Sequence, residues 1–430
     1  MGCARFIWNA KCEENEYLSK FALRYLPIGT YPPIDQTYSQ YKTELSPWLS
    51  EVPSQILRNS SSNWYQTYRH YQKGLCGKPK RKRKSDTSSI HLTRELFKFE
   101  ACADGVIRLF IGTKTNHIGY LSIKNHGSYN IPNSLRISRR NGAYWVSFCY
   151  EDDLDPELLQ TQSQHLEYLK GCSQEELEKM VMGVDRGIKR PIQAGEHVFD
   201  FTAEQKKKKA AKEKYIKRCQ KRLSGQKKGS RRWKRTKQKI AKSHDKISNI
   251  RKDFCHKASR AIVDQKRTKV IVLESLQTKN MTARSKAKQD PKTKKWLKNN
   301  RLSKAILDKG WHQVEVFLKY KSHRAGKAFY KVQAFHTSQE CADCGHTHPD
   351  NRKTQALFIC ESCGHTDNAD RNAAEVIKKR AIKLILDSGT ELSSKGILQD
   401  KGRGAIGKTR GAKATLASSE ETSKKKELIA

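Results

Sequence analysis

Four cysteines in two close pairs carry the clearest chemical signal in the sequence. Cys341 and Cys344 form one C-x-x-C pair, Cys360 and Cys363 form the other, and 15 residues separate the two pairs. Four thiolates at this spacing suit a tetrahedral zinc ribbon. A glycine follows each pair and permits the tight turn that aims backbone N–H groups at sulfur. Because four protein ligands leave no open position, we expect one structural Zn²⁺ that does not activate water.

His346 and His365 each follow a Cys-Gly pair. Either ring could replace a thiolate, but the set of four cysteines is already complete, so neither is predicted as a ligand. The eight other cysteines are scattered singly, which favours small buried residues. The N-terminus has no signal-peptide pattern, so this cysteine usage favours a reducing compartment.

Three carboxylates occupy positions from which they could bind hard cations. Asp185 ends an apolar strand, Glu274 ends a second one, and Asp370 opens an amphipathic helix. Hydrolysis of nucleic acid with two Mg²⁺ ions needs carboxylates that converge from separate elements, with the ions roughly 3.5–4 Å apart. One ion would generate the attacking hydroxide, and the other would stabilise the leaving 3′ oxygen.

Each of these acids also has a plain structural interpretation. Asp185 could be a turn residue before glycine, Glu274 a solvated charge at a strand end, and Asp370 a helix N-cap. Taken singly, these interpretations are favoured. Taken together, the three acids occur in a specific order of elements that favours the metal-binding interpretation. That order is strand–Asp, basic hairpin, strand–Glu, cysteine pairs, helix–Asp.

The elements that must position these groups can be predicted from the patterning. Residues 180–185, 191–194, 197–201 and 269–274 read as strands. Residues 206–252 hold 22 Lys or Arg and only two acids, and Gly225 and Gly229 mark a turn, which predicts a basic helical hairpin. So many positive charges on two helices would repel strongly without an anion, so we expect contact with phosphate backbones. An amphipathic helix follows, with Leu302, Ile306, Val314, Phe317 and Leu318 on one side.

The first 150 residues divide into a helical part and a strand-rich part. Trp64, Tyr68 and Tyr71 lie at i, i+4, i+7, which favours a packed helix face over a surface on which bases stack. Residues 78–84 form a basic run, which could be a solvated loop, a nuclear localisation signal or a phosphate contact. Residues 90–150 alternate short β-branched runs with turns, and Asn141-Gly142 predicts a hairpin. The pattern favours a small antiparallel barrel or sheet.

Composition limits the classes of partner. The chain has 430 residues, with 86 Lys or Arg against 44 Asp or Glu, for a net charge of +42. An uncompensated positive field of this size argues for nucleic acid as the partner. No apolar run approaches the ~20 residues that span a bilayer, so no membrane partner is expected.

Several segments resemble the TnpB (OrfB) family of transposon-encoded, RNA-guided DNA nucleases, which are relatives of the miniature type V CRISPR effectors. The resemblance covers nearly the whole chain, and its specific part is C-terminal. The segments that carry it are 2–9, 77–80, 183–187 (Gly-Val-Asp-Arg-Gly), 272–276 with 280–281, 337–345 (Thr-Ser-Gln-Glu-Cys-Ala-Asp-Cys-Gly) and 370–374 (Asp-Arg-Asn-Ala-Ala).

The resemblance implies a multidomain α+β protein whose RuvC-like nuclease domain has an RNase H fold, with Asp185, Glu274 and Asp370 as its catalytic, Mg²⁺-binding triad. It also implies a zinc ribbon that binds target nucleic acid. Asp367 lies three residues before Asp370 and could be mistaken for the ligand. Only Asp370, however, has the spacing to Asn372-Ala373-Ala374 that the family motif requires. The expected partners are a guide RNA and a double-stranded DNA target in a bacterial or archaeal cytoplasm, at the nucleoid, while a dimer is left open.

The same resemblance implies an order of domains. Family members usually begin with a strand before the first helix, whereas Met1 falls almost at that helix, so we expect the barrel to lack this strand. The expected domains are a helical recognition region (1–76), a wedge-like β-barrel (77–150), a connector (151–180), the nuclease domain with the basic hairpin (181–335), the zinc ribbon (336–368), the C-terminal nuclease helix (369–386) and a disordered tail (387–430).

Three functions fit these features. The leading hypothesis is an RNA-guided, Mg²⁺-dependent DNA endonuclease associated with a transposable element. A guided repressor that does not cut, or a decayed copy, is the second, and a complete acidic triad argues against it. A DNA-strand transferase (transposase) is the third, because similar acidic triads also support transposition.

Overall fold

A computed structural model of the chain describes residues 1–21, 24–25, 27, 34–84, 88–101, 106–113, 115–124, 130–149, 162–282, 300–354, 356–387, 391–392 and 398–399. The chain divides into two units, one of residues 1–154 and 209–247 and the other of residues 155–208 and 248–430. No helix among the described residues is long and apolar enough to cross a membrane.

The described helices are α1 (Gly2–Phe21), α2 (Ser54–Gln72), α3 (Gln162–Lys170), α4 (Gln174–Met180), α5 (Ala203–Ser224), α6 (Arg231–Val263), α7 (Thr278–Thr282), α8 (Asn300–Lys309), α9 (Trp311–Arg324) and α10 (Ala369–Leu386). The described strands are β1 (Ser88–Thr93), β2 (Phe97–Ala101), β3 (Val106–Gly112), β4 (His117–Lys124), β5 (Ser134–Arg140), β6 (Ala143–Cys149), β7 (Val181–Asp185), β8 (Ile192–Ala194), β9 (His197–Phe199), β10 (Val270–Glu274), β11 (Ala328–Val332), β12 (Leu357–Ile359), β13 (Thr366–Asn368), β14 (Glu391–Leu392) and β15 (Leu398–Gln399).

Helices α1 and α2 of the first unit pack through the predicted aromatic stripe. Trp64 and Tyr68 are buried, and their rings stack with centroids 5.2 Å apart. The indole N–H of Trp64 points at the Cys12 sulfur, 3.2 Å away, and Trp8 completes the cluster. The prediction that this stripe is a packed helix face, and not an open stacking surface, is therefore confirmed.

Two antiparallel sheets follow, each of three strands. One has the order β1-β5-β6 and the other the order β2-β3-β4, and they share a single apolar core. The predicted hairpin turn joins β5 to β6: Asn141 has φ 51° and Gly142 has φ 82°. Both angles are positive, as the tight turns that suit twisted hairpins require. Closure of these sheets into a barrel stays a prediction.

The basic helical hairpin forms as predicted, with α5 and α6 joined by a turn in which Gly229 has φ 87°. One of its two acids, Asp245, is engaged by the β5–β6 turn. It accepts hydrogen bonds from the Arg140 guanidinium and the Asn141 amide. This acid therefore fastens the hairpin to the β-rich part of the same unit.

The second unit is built on a five-stranded sheet with the order β11-β10-β7-β8-β9. Strand β10 runs parallel to both β7 and β11, whereas β7, β8 and β9 form an antiparallel meander. Strand β10 is buried along its whole length, as its run of apolar residues predicts.

Helices cover both faces of this sheet. On one face, α3, α4 and α10 pack on a core that includes Val181, Val272 and Tyr330. On the other face, the end of α6 and helix α9 pack on Val184, Leu273 and neighbouring apolar residues. The layers therefore bury both faces of β7 and β10, the strands whose ends carry two of the candidate acids.

The prediction of one amphipathic helix through Leu302 and Leu318 is wrong. The chain forms two helices, α8 and α9, because Gly310 adopts a left-handed conformation with φ 73° between them. A side chain at Gly310 would come within 3.0 Å of the Cys255 sulfur. Ile306 and Leu318 are buried as expected, but Leu302 is exposed.

The predicted connector and tail are described only in part. Helices α3 and α4 fall in the connector, while residues 151–161 lie outside the described residues. In the predicted tail, β14 and β15 pair as a short antiparallel ladder. The remainder of residues 388–430 lies outside the described part, so the disorder predicted there stays a prediction.

Candidate metal centres

Asp185 and Glu274 lie at the carboxyl ends of two adjacent parallel strands. The register pairs Val184 of β7 with Leu273 of β10, so the two acids are the next residues on their strands. Because parallel strands end at the same edge of a sheet, these carboxylates come from separate segments to one place. The prediction that both acids end apolar strands is confirmed.

Asp370 lies in the first turn of α10 and is 8% exposed. It is not the N-cap, because Asn368 holds that position and its side chain accepts the N–H of Asp370 at 3.1 Å. The neighbouring acid Asp367 is engaged by the guanidinium of Arg371, 2.9 Å away. The Asp370 carboxylate is therefore not used to cap the helix.

Glycine at position 183 lets α10 approach strand β7. An added Cβ there would lie 1.9 Å from the backbone oxygen of Ala374 and 2.8 Å from the nitrogen of Lys378. Only a residue without a side chain fits under the helix. This contact sets the helix that carries Asp370 directly on the strand that carries Asp185.

The three acids share an environment that disfavours negative charge. Burial raises the pKa of Asp185, the charges of Glu274 and Asp370 raise it further, and it reaches about 7. Burial also raises the pKa of Glu274 and of Asp370, although nearby cations oppose the rise. Asp185 is therefore near enough to the other two carboxylates to feel their charges, and protein cations do not fully compensate the three acids.

The oxygen donors of these acids fit a hard divalent cation. Among the described residues, only the four cysteines bring three or more ligand atoms within 4.8 Å of one another. The three carboxylates therefore do not all bring an oxygen within 4.8 Å of one another. A donor set of this kind suits Mg²⁺ that keeps some of its water ligands.

A buried arginine ties the two strand ends to α9. Arg186 is 2% exposed; its guanidinium donates to the backbone oxygen of Glu274 at 2.6 Å and to the carboxylate of Glu315 at 3.0 Å. Glu315 is also paired with Lys331 at 2.6 Å. Since a buried charge needs such partners, these bonds fix the backbone at Glu274.

Arg352 is a site residue that the sequence analysis missed. It lies between the cysteine pairs, and its guanidinium is 3.5 Å from the Asp370 carboxylate. Arg190 is also near Asp370, and both cations lower its pKa against the effect of burial. Neither residue belongs to a recognisable local pattern, so only the folded chain reveals their positions.

The four predicted cysteines come together as a second candidate centre. The sulfurs of Cys341 and Cys363 are 3.7 Å apart, and those of Cys344 and Cys360 are 3.6 Å apart. Sulfurs on a tetrahedral zinc with bonds of about 2.3 Å would be roughly 3.8 Å apart. The four thiols therefore fit zinc.

The two halves of this centre repeat the same geometry. The N–H of Cys341 donates to the oxygen of His346, and the N–H of Cys360 donates to that of His365, each at 2.9 Å. Gly345 and Gly364 have φ of 72° and 73°.

The two centres are connected by side chains of α10. The amide of Asn372, wholly buried, accepts the N–H of Ala342 at 2.9 Å and donates to the oxygen of Glu340 at 2.8 Å. Lys379 donates to the oxygen of Ala342 at 2.7 Å. The helix that carries Asp370 thus holds the backbone of the first cysteine pair.

Comparisons with known proteins agree with this arrangement. The OrfB family model, described as "Probable transposase", matches residues 148–285, and a model described as "Cas12f1-like, TNB domain" matches residues 311–377. The first range includes Asp185 and Glu274, and the second includes the four cysteines and Asp370. The resemblance to the TnpB (OrfB) family is confirmed.

Individual proteins are similar to this chain over further parts of its length. A protein of Escherichia coli (strain K12) named "Putative RNA-guided DNA endonuclease InsQ" is 25% identical over 87% of this chain and 86% of its own length. The "CRISPR-associated endodeoxyribonuclease Cas12f1" of Sulfoacidibacillus thermotolerans is 31% identical over 35% of this chain and 32% of its own. In a solved Cas12f1–sgRNA–target DNA complex, one chain shares the fold with a TM-score of 0.50 at 15% identity, covering 87% of this chain and 80% of that one.

Proposed function

We propose that this protein is an RNA-guided DNA endonuclease that cuts through a single RuvC-like, two-metal site. The names of its relatives support guided cleavage of DNA, and the net charge of +42 supports binding of nucleic acid. Residues 181–335 and 369–386 would form the nuclease domain, although residues 209–247 of its basic hairpin belong to the first unit, and residues 336–368 would form the zinc ribbon. The first 76 residues would form the recognition region, followed by the wedge-like domain to residue 150.

One observation carries the proposal. Three acids from three separate elements all have raised pKa values, and the charges of Glu274 and Asp370 add to burial in raising that of Asp185 to about 7. Clustered acids without full compensation cost folding free energy, so they point to a ligand that supplies positive charge. Carboxylates with a purely structural role, each paired with a cation, would have lowered pKa values instead.

The residues of this chain would divide the work of the reaction. Asp185, Glu274 and Asp370 would hold Mg²⁺, which supplies activation of water and stabilisation of the leaving oxygen when bound. Arg186 holds the backbone at Glu274, and Thr337 donates to the Glu274 carboxylate at 3.2 Å, so both fix the orientation of this ligand. Arg352, 3.5 Å from the Asp370 carboxylate, would contact the phosphate of the strand that is cut.

The basic helices would bind nucleic-acid backbone. Helices α5 and α6 carry most of the 22 cations of residues 206–252. A paired guide–target duplex is recognised by its shape and charge while base pairing reads the sequence. Long helices that are rich in Lys and Arg suit that role, because they contact the phosphate backbone and need not recognise the base sequence.

The test is cleavage of a matched DNA by protein purified with RNA from cells that also carry the flanking transposon end. We expect Asp185→Ala, Glu274→Ala and Asp370→Ala each to abolish Mg²⁺-dependent cleavage while nucleic-acid binding survives. Asp367→Asn is the matched control, because Asp367 is engaged by Arg371. Persistent cleavage in the Asp185→Ala protein would overturn the site assignment.

The same assay separates the alternatives. A guided repressor would bind the target without any Mg²⁺-dependent product. The OrfB description "Probable transposase" favours a strand transferase as the second candidate. A transferase would yield joined DNA strands, whereas hydrolysis leaves free ends, so the ends of the product distinguish the two.

A further inference from the structure

The outer face of sheet β2-β3-β4 combines aromatic rings with cations. Residues with odd numbers on these strands, such as Leu109 and Ile111, pack in the shared core. Their neighbours with even numbers point away from that core. The exposed residues with even numbers on these strands are Lys98, Glu100, Arg108, Ile118, Tyr120, Ser122 and Lys124, and Phe110 is partly exposed.

Two rings lie side by side at the centre of this face. Phe110 of β3 is paired across the ladder with Lys98 of β2 and with Tyr120 of β4. The ring centroids of Phe110 and Tyr120 are 5.2 Å apart, and Tyr120 is 58% exposed. Large rings in neighbouring strands would normally be buried, so their exposure argues for a partner that covers them.

Cations frame the rings on the same face. Lys98 lies in the row of the two rings, and Arg108 is paired with Glu100 and Ser122 in the next row. Lys124 lies opposite Val106, one row further along β4. Three cations against one acid give this face a positive charge that complements phosphates, while the rings offer flat surfaces to bases.

We propose that this face, defined by Lys98, Arg108, Phe110, Tyr120 and Lys124, binds an unpaired segment of RNA by stacking bases on Phe110 and Tyr120. A sheet whose exposed aromatic rings stack unpaired bases is a recurring solution for single-stranded RNA. Lys98, Arg108 and Lys124 would contact the phosphates on either side. The identification of RNA as the ligand rests on the proposed function.

The chemistry favours unpaired RNA over the other nucleic acids of that function. Bases within a duplex are already stacked and paired, so a guide–target duplex offers no free base faces to these rings. The displaced DNA strand would be consumed at the carboxylates of the other unit. The bases that remain free throughout are those of the RNA outside its paired part.

The test uses the full chain and a single-stranded RNA of about 12 nucleotides that carries 4-thiouridine, a length within the range that one such surface covers. Affinity is measured at raised salt, because non-specific phosphate binding falls steeply with salt concentration. We expect the Phe110→Ala/Tyr120→Ala protein to lose about tenfold or more in affinity. Photo-crosslinks in the wild type should fall within residues 106–124.

Controls separate stacking from folding and from charge. The Phe110→Tyr/Tyr120→Phe protein keeps both rings and should bind as the wild type does. Tyr168→Ala removes a ring that is 61% exposed on α3 and should leave affinity unchanged. Unfolding temperature and circular dichroism should not differ between the ring-free protein and the wild type.

Three results would overturn the proposal: equal affinity in the ring-free protein, an equal loss for duplex RNA of the same sequence, or stronger binding of the matching single-stranded DNA. The outcome is independent of cutting. If the Asp185→Ala protein keeps this RNA binding and the wild type never cleaves DNA, the proposed nuclease function fails while the stacking face stands. If the protein performs guided cleavage but removal of the rings does not change RNA binding, the stacking face fails while the proposed nuclease function stands.

Discussion

Thr337 donates a hydrogen bond from its hydroxyl to Oε2 of Glu274, at 3.2 Å. Thr337 is 4% exposed and lies four residues before Cys341, in the segment that leads into the cysteine pairs. The bond therefore connects the second strand-end acid with the candidate zinc centre. It also leaves the other oxygen of Glu274 for a cation.

Replacing Thr337 should impair cleavage without unfolding the protein. Thr337→Val keeps the shape of the side chain but removes the donor, so the Glu274 carboxylate loses one partner that fixes its orientation. A hydrogen bond to a charged group contributes about 1.5–3 kcal/mol, so we expect cleavage to slow by about tenfold or more. Rates at saturating Mg²⁺ and a Mg²⁺ titration measure the effect.

Thr337→Ser is the matched control because it keeps the hydroxyl. Its cleavage rate should stay within about threefold of the wild type, since the donor remains and only a methyl group is lost. Equal rates for the Val and wild-type proteins would show that Glu274 needs no help from Thr337.

The raised pKa of Asp185 predicts a pH dependence for the metal-free protein. An ordinary aspartate titrates near 4, whereas burial together with Glu274 and Asp370 raises the pKa of Asp185 to about 7. The folded state therefore binds this proton more tightly than the unfolded state. The stabilisation that comes from protonated Asp185 is full below about pH 4 and is lost as the pH rises through about 7. The free energy of unfolding should therefore fall over that range.

Mg²⁺ should reverse this loss. A divalent cation compensates the ionised carboxylates, so it should raise the unfolding temperature much more at about pH 8 than at about pH 5. Unfolding curves with excess Mg²⁺ and with a chelator, at both pH values, measure the difference. Asp185→Asn should flatten the profile of the metal-free protein, and a shift by Mg²⁺ that is the same at both pH values would contradict the prediction.

Cys360→Ser tests the second centre. The four sulfurs lie within 4.8 Å of one another, and a structural zinc contributes folding free energy directly. We expect the variant to lose one equivalent of zinc and to unfold at a lower temperature, whereas Cys149→Ser, an exposed cysteine outside the cluster, should change neither. Elemental analysis and thermal unfolding give the two readouts. Undiminished zinc in the Cys360→Ser protein would exclude this ligand set.

The parts of the site that follow from local spacing could be predicted from the sequence. Two C-x-x-C pairs define a ligand set by themselves, and Asp185 and Glu274 end apolar strands whose parallel pairing brings them to one edge. Arg352 could not be predicted in this way, because its contact with Asp370 depends on how the loop between the cysteine pairs folds back.

The break between α8 and α9 was also hidden from sequence reasoning. The apolar periodicity continues through Gly310, and a single glycine inside a helical pattern is usually tolerated at modest cost. The left-handed conformation of Gly310 ends α8, and Cys255 and Arg251 of α6 leave no room for a side chain at this position. The periodicity of the sequence predicts the apolar stripe but not the neighbour against which it packs.

Gly183→Ala should remove activity through the position of α10. The added Cβ would lie 1.9 Å from the backbone oxygen of Ala374, and backbone cannot yield as a flexible side chain can. Helix α10 must therefore move away from β7, and Asp370 and Asn372 move with it. We expect a lower unfolding temperature and a loss of cleavage of about 100-fold or more, since a 1 Å misplacement of a catalytic group can cost that much. Gly225→Ala, where the nearest atom to the new Cβ is 4.0 Å away, is the control and should leave both unchanged. If Gly183→Ala lowers stability but cleaves at the wild-type rate, α10 does not need its close contact with β7 to place Asp370.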